Sequence, residues 1–189
     1  MPDPVFTASP ENKLQLRARM RAARWAMASG PIAFPEALGE ALARPGIIAS
    51  YLPVDGEADP AAIVAAAVAR GWRIALPHIT SRAAPMRFLG WAPGEPLVPG
   101  PFGLSQPSAD APVVEPGLIL TPLVAFDARG HRLGQGAGHY DRAFAALPNA
   151  RRWGVAWACQ QVAALPVDHW DVPLDGVITE AGWLAGATR

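Results

Sequence analysis

Phe126-Asp127-Ala128-Arg129-Gly130-His131-Arg132-Leu133-Gly134-Gln135-Gly136-Ala137-Gly138-His139-Tyr140-Asp141-Arg142 joins an apolar run to a helix. The central strand is expected at Gly117 to Thr121, where the apolar run Leu118 to Phe126 begins. The helix is expected from Tyr140 to Leu147, where Pro148 stops it. Between them, glycines alternate at Gly134, Gly136 and Gly138. Glycine reaches positive φ without a Cβ penalty and lets other atoms approach the backbone. Successive N–H groups in such a loop converge into an anion-binding nest. The helix start adds aligned donors at its positive dipole end. Arg132 and Arg142 flank the loop with charge suited to phosphate. The string is neither a P-loop nor a dinucleotide fingerprint, because His139 stands where the third glycine of the latter is required. The pattern therefore reads as a phosphate-cradling loop of its own kind. The competing reading is a Gly-rich surface turn; the arginines, the helix start and Asp141 in its first turn favour the phosphate loop.

Outward from this loop, the chain alternates strands and helices. Ser9-Pro10-Glu11 reads as the cap and first turn of a helix reaching about Ser29, where Gly30-Pro31 breaks it. Lys13, Arg17, Arg21 and Arg24 recur on one face of that helix. Most of this stripe reads as solvated, while Lys13 and Arg17, one turn apart, are placed to reach an anion together. Pro35 to Ala43 is expected as a short second helix. Gly46 to Tyr51, Ala61 to Arg70 and Trp72 to Pro77 form a β-α-β unit, whose right-handed crossover makes its two strands parallel. Ligands in such sheets bind beyond the strand carboxyl ends. Glu57 falls in the first of those loops, His78 and Arg82 in the second. Met86 to Trp91 is expected as an edge strand. Residues 92–117, crowded with proline and glycine, read as a binding loop around Phe102-Gly103-Leu104-Ser105-Gln106-Pro107. Phe102 reads either as a ligand contact or as a hydrophobic plug pinning that loop. Arg152 to Trp157 is a further strand, Leu165 to Asp175 is acidic and extended, and Gly176 to Glu180 closes the sheet. The fold class is α/β: a three-layer α/β/α single domain, residues 1–189, with a largely parallel, Rossmann-like sheet.

Composition narrows the function classes. Hydrophobic residues are 51% and charged residues 17%, which argues against disorder. Formal net charge is zero, so there is no electrostatic case for a nucleic-acid binder. Cys159 is alone, excluding a disulfide framework and a Cys-based zinc site, and the four histidines lack ligand spacing. Met1-Pro2-Asp3-Pro4 has neither a basic nor an apolar signal region, and no apolar run is long enough to span a bilayer. The expectation is a cytoplasmic monomer without membrane contact. No nucleophile elbow, H-E-x-x-H or C-x-x-C occurs. An anion loop, scattered carboxylates and apolar loop residues suit a reaction driven by ATP in which positioning does most of the catalysis.

The string R-L-G-x-G-x-G-[YH]-Y-D, preceded by a strand and F-D-x-x-G, resembles the signature of the 5-formyltetrahydrofolate cyclo-ligase family. The resemblance spans nearly the whole chain. It includes K-x-x-x-R at Lys13 and Arg17, E-x-[DE] at Glu57-Ala58-Asp59, G-[IL]-x-[EQ]-P from Gly103 to Pro107, and D-x-x-x-D-x-[IV]-x-[TY]-E from Asp171 to Glu180. It implies ATP contacts at Lys13, Arg17, Arg132, Leu133, Gly134, Gln135, Gly136, Ala137, Gly138, His139 and Tyr140. It implies substrate contacts at Leu52, Glu57, Phe102, Gln106 and Tyr140, Mg²⁺ ligands at Asp141 and Asp171, and catalytic roles for Arg132 and Tyr140. On the residues alone, Asp141 reads as a helix N-terminal acid and Asp171 as a turn acid. The chain departs from the family pattern in His139 for tyrosine, Ala137 for glycine or lysine, and Pro60 after Asp59 where threonine is common; proline there suits helix position N1. The implied reaction takes 5-formyltetrahydrofolate, with or without a polyglutamate tail, and ATP to 5,10-methenyltetrahydrofolate, ADP and phosphate. The other readings are a non-catalytic folate or nucleotide binder, and a sugar-phosphate isomerase or CoA-transferase-like enzyme of similar architecture.

Overall fold

In the computed structural model, which describes residues 12–27 and 30–186, the chain runs as follows. Helix α1 is Lys13–Trp25, β1 Ile47–Ala49, α2 Ala61–Val68, β2 Arg73–His78 and β3 Arg87–Trp91. Short strands β4 (Val98–Pro99) and β5 (Ser105–Gln106) flank a 3₁₀ turn, Pro101–Gly103. The central strand β6 is Leu118–Pro122, followed by β7 (Ala125–Phe126), β8 (Arg132–Leu133) and α3 (His139–Ala146). Strands β9 (Arg151–Val155), β10 (Gly176–Thr179) and β11 (Gly182–Ala185) complete the fold.

Seven strands form one sheet in the order β11-β10-β9-β6-β1-β2-β3. The five inner strands are parallel, and antiparallel β3 and β11 cover the two edges. Side chains alternate between the two faces, as the strand period requires. Ile48, Ile74, Leu118, Leu120, Trp153 and Ile178 pack on one face with Ile63 and Ala67 of α2. Ala49, Ala75, Ile119 and Val177 pack on the other with Ala143 and Phe144 of α3. Both faces of the inner strands are thus covered, which explains their continuous apolar runs. Helix α1 lies on neither face. Its Leu16 and Met20 pack against Val124, Ala125 and Leu133 of the β7-β8 ribbon and against Leu165. Among the described residues no helix is long and apolar enough to cross a membrane.

Several local expectations are corrected. The Ser9-Pro10-Glu11 cap lies outside the described residues. Helix α1 is capped by Asn12, whose side chain accepts from the Leu14 and Gln15 N–H groups while Gln15 reaches back in a capping box. The helix stops at Trp25, with Ala26 as its C-cap, short of Ser29. Pro35 to Ala43 is not a continuous helix but two 3₁₀ turns, Glu36–Leu38 and Glu40–Leu42. Gly39 separates them, and so short a segment gains too few bonds to repay helix nucleation. The central strand agrees with its expected bounds to one residue at each end, and beyond it β7 pairs with β8 rather than joining the main sheet. Gly176–Thr179 does not close the sheet: β11 follows across a turn at Gly182, where φ is +120°.

Gly130 in the β7-β8 turn has φ +84°, and a Cβ there would stand 2.5 Å from the Leu174 carbonyl oxygen. Its own carbonyl accepts from the Leu174 N–H at 2.8 Å, so the two backbones are held at close range. Gly130→Ala is expected to destabilise the fold by about 1–3 kcal/mol, the range for a forced left-handed residue. Urea denaturation checks this, and an unchanged midpoint would contradict it.

Candidate active site

A cleft of about 990 Å³ opens at the carboxyl ends of β1, β2 and β6. Its walls are the segment 51–57, residues 76–86, the 102–106 loop, the Gly loop with the first turns of α3, one face of α1, and the 168–171 turn. Every site residue inferred from sequence lines this one cleft: Lys13, Arg17, Leu52, Glu57, Phe102, Gln106, Arg132 to Asp141, and Asp171.

The Gly loop has the backbone its sequence demands at two of its three glycines. Gly136 has φ +101°, and Gly138 is left-handed at φ +67°, serving as the N-cap of α3. Gly134 is not in the left-handed region, and a Cβ there would meet nothing within 4 Å. Cationic side chains grip the loop through its carbonyls. Arg17 Nε donates to the Gly134 oxygen at 2.8 Å, Arg82 to that of Gly136 at 2.9 Å, and Arg142 to that of Ala137 at 3.0 Å. Arg21 donates to the Gln135 side chain.

The basic stripe on α1 is therefore not a solvated face. The stripe runs beside Leu16 and Met20, which enter the core, so the same side of α1 buries Arg24 and brings Lys13 and Arg17 to the cleft wall. Lys13 Nζ donates to Asp168 at 2.7 Å and to Asp171 at 3.1 Å. Burial acts to lower Lys13, but those two acids outweigh it and leave the amine raised. Arg24 is only 1% exposed.

Arg132 is held at three points. Its guanidinium donates to Asp141 Oδ1 and to the Val172 carbonyl, both at 2.8 Å, and lies 4.6 Å from the centre of the Phe144 ring. Asp141 Oδ1 also accepts from the Val172 N–H at 3.3 Å. Asp171 Oδ2 accepts from Lys13 and from the Asp168 N–H. Burial acts to raise the Asp171 carboxyl, but the Asp168 N–H and Lys13 prevail and hold it below the usual range. Among the described residues no group of three or more His, Cys, Asp and Glu side chains converges on a metal position.

The rest of the cleft wall is mostly apolar and carries two acids, Asp55 and Glu57. Glu57 is held by its own turn, accepting from the Val54 N–H at 3.3 Å, and it accepts from Gln135 Nε2 at 3.4 Å. Burial pushes its carboxyl up, and nearby Arg24 opposes this. Glu57 does not cap α2; Asp59 accepts from the Ala61 N–H at 2.9 Å, and Pro60 stands at the N-cap rather than at N1. Phe102 is 63% exposed, with φ +62°, so it is not a plug: the loop presents the ring to solvent at the cleft wall. Gln106 is buried and its Oε1 accepts from the Ile79 N–H at 3.0 Å, pinning the loop where Phe102 does not. Burial, then the Glu57 charge, push the Tyr140 phenol far up, with Arg132 opposing, so it stays protonated at neutral pH.

The histidines divide. His139 is buried in the cleft wall, with Nδ1 3.1 Å from Arg142 Nη2; burial, Arg142 and Arg82 lower its pKa, so it is neutral at pH 7. Because a guanidinium only donates, Nδ1 accepts and the proton sits on Nε2. His78 is not in a loop; it is the buried last residue of β2, paired across the sheet with Arg87. Sequence reasoning missed Tyr51 and Trp170 in the cleft wall. Trp170 is 59% exposed and meets His169 edge-on at 4.4 Å; in an acidic extended segment nothing marks such an aromatic beforehand.

Residues 9–180 match the model of the 5-formyltetrahydrofolate cyclo-ligase family. A 5-formyltetrahydrofolate cyclo-ligase of Haemophilus influenzae is 36% identical over 139 residues, covering 69% of this chain and 74% of that protein. One from Mycolicibacterium smegmatis is 31% identical over 192 residues, covering 90% of this chain and 95% of that protein. The solved structure of a 5,10-methenyltetrahydrofolate synthetase from Aquifex aeolicus superposes with a TM-score of 0.70 at 26% identity, covering 94% of each chain.

The Arg132 side chain is 4% exposed, so removing its charge strands Asp141 and the Val172 carbonyl together. Arg132→Met is expected to lower stability by about 3 kcal/mol, near the range for breaking a buried ion pair. Chemical denaturation measures this, and a loss below about 1 kcal/mol, the surface-pair range, would contradict the tie described here.

Proposed function

The chain belongs to the 5-formyltetrahydrofolate cyclo-ligase family, and from that premise we propose that it converts 5-formyltetrahydrofolate and ATP to 5,10-methenyltetrahydrofolate, ADP and phosphate. The observation that carries the proposal is one cleft that combines two chemically different sets of lining residues. Lys13, Arg17, Arg82, Arg132 and Arg142 gather around the Gly loop. Leu52, Ile79, Met86, Phe102 and a nearly buried Glu57 line the same cleft. A triphosphate needs the first and a reduced pterin the second. The pterin presents ring N–H and amino donors, and a carboxylate accepts two such bonds at once. An acid that no metal ion bridges to the phosphates is a poor neighbour for them, which supports placing the folate at Glu57 and the phosphates on the loop.

The formamide oxygen is a weak nucleophile and a poor leaving group. In the proposed sequence it attacks the γ-phosphorus of ATP and ADP departs. N10 of the same folate then attacks the activated formyl carbon, closing the ring. The N10 proton is lost, the carbon–oxygen bond breaks, and phosphate leaves. The substrate supplies its own nucleophile, so the protein's task is positioning and charge stabilisation. In this reading the Gly loop and Arg17 hold the phosphate chain, and the fixed Arg132 guanidinium faces the charge that develops on the transferred phosphoryl group. Tyr140, kept protonated, donates a hydrogen bond between the two sets.

Mg²⁺ usually takes one or two carboxylates together with substrate phosphates and water. Asp141 and Asp171 fit that role. Each stands beside the loop and accepts its protein hydrogen bonds on one oxygen, Oδ1 of Asp141 and Oδ2 of Asp171. Bound there with ATP, the ion would neutralise phosphate charge.

The direct test mixes the protein with Mg-ATP and 5-formyltetrahydrofolate and follows the near-ultraviolet absorbance of the methenyl product. Absorbance that rises only when both substrates are present is expected. Binding of both without turnover would select a non-catalytic binder, and isomerase activity without ATP would select the other enzyme class. Gly136→Val adds a residue-level check. A branched Cβ at φ +101° is strained, and it would press on the Arg17 guanidinium, which lies 3.5 Å from a bare Cβ. ATP use should be lost in a folded variant; wild-type ATP affinity would remove the loop from the site.

A further inference from the structure

Arg24 stands about two helical turns beyond Arg17 on the same face of α1. Its Nε donates to the Asp55 carbonyl at 2.8 Å. Its Nη1 is buried without a hydrogen-bond partner and lies 3.9 Å from Glu57 Oε1, within ion-pair range. The turn it grips is an unusual one. Asp55 and Gly56 are consecutively left-handed, at φ +50° and +73°, and only the glycine adopts this freely. Neighbours hold the turn on either side: Trp157 Nε1 donates to the Gly56 carbonyl at 3.1 Å, and the Tyr51 hydroxyl donates to that of Ala58.

We propose that Arg24 is a positioning residue for the substrate: it locks the Val54 to Glu57 turn and holds the Glu57 carboxylate, as an anion, toward the pterin end of the cleft. This rests on the reading of Glu57 as the pterin acceptor. A buried guanidinium N–H left without an acceptor is costly, and a buried carboxylate without a cation is costlier. Arg24 and Glu57 stand close enough to relieve each other, yet not so close that a hydrogen bond closes Glu57 to a ligand. The other groups around the acid do not replace the cation. Asp55 beside it in the turn carries like charge, Tyr51 after β1 and Tyr140 on α3 are neutral phenols, Gln135 is neutral, and Arg21 acts on Arg24 rather than on Glu57. Arg24 acts on Glu57 against the upward pull of burial, so removing it should let the carboxyl rise further.

The experiment compares Arg24→Met, Arg24→Lys, Glu57→Gln and the double variant Arg24→Met/Glu57→Gln. KM for each substrate and kcat/KM against pH are measured, with melting temperatures alongside. Arg24→Met should raise the folate KM about tenfold or more, the range for a hydrogen bond to a charged group, and leave the ATP KM unchanged. The acid limb of kcat/KM for folate should move to higher pH. Arg24→Lys keeps the charge but not both contacts, and should lie between the wild type and Arg24→Met in both readings. If Arg24 works through Glu57, the double variant should lose no more folate affinity than Glu57→Gln alone. Losses that multiply in the double variant, or equal rises in both KM values, would reduce Arg24 to a structural residue and overturn the inference. If Arg24→Met does not fold, the Arg24→Lys pH profile decides alone, and an unmoved acid limb overturns it. A wild-type folate KM in Glu57→Gln would instead overturn the reading of Glu57 itself.

Discussion

The buried guanidinium of Arg132 is the point on which the ligand-binding end of this fold is fixed. It leaves the short strand β8, lies over Phe144 of α3, and bonds to Asp141 of that helix and to the Val172 carbonyl of the acidic segment. The Gly loop's two flanks and the acidic segment some 40 residues further on are thereby held around one charge. An arginine this deep needs its donors matched, because an unpaired buried cation is strongly destabilising. Matching them puts the first turn of α3 beside the 168–172 segment, and with it Asp141 near Asp171. The spacing of the two candidate metal acids thus follows from satisfying one cation, before any metal enters.

The division of the cleft follows from where the inner strands end. Parallel strands deliver their following loops to one edge of the sheet, and β1, β2 and β6 do so here. The loop after β1 carries Glu57 and the ribbon after β6 carries the Gly loop. Helix α1 crosses beside both, because its apolar side is committed to the β7-β8 ribbon. The basic residues beside that apolar stripe run from Lys13 against Asp168 and Asp171 at the cleft wall to Arg24, buried behind it, against Glu57. One helix therefore supplies one cation beside a candidate metal acid and another beside a candidate substrate acid.

Much of this was legible in the sequence, and the failures have physical causes. The β-α-β unit, the central strand and the Gly loop are local patterns, and each stands where its pattern put it. Glu57 and the Gly loop were legible as cleft positions because loop residues just past buried strands have one place to go, whereas Leu52, Gln106 and Asp171 came only from the family resemblance. The solvated reading of Arg24 failed because helical spacing reports which residues share a face, not what that face meets. Gly134 shows the limit of composition: three alternating glycines look alike, but only Gly136 and Gly138 use left-handed backbone. The plug reading of Phe102 failed because the anchoring is done by Gln106, a polar residue whose bond to Ile79 cannot be read from pattern. Strand β11 is four residues beside a glycine turn and is defined by its partner rather than by its own sequence.

The central claim is that one cleft holds both substrates at once, the phosphates on the Gly loop and the pterin at Glu57. Calorimetric titration of 5-formyltetrahydrofolate into the protein, with and without a saturating non-hydrolysable ATP analogue, tests it most directly. The account predicts that folate binds in both cases, with equal or greater affinity when the nucleotide is present. Mutual exclusion of the two ligands would contradict it.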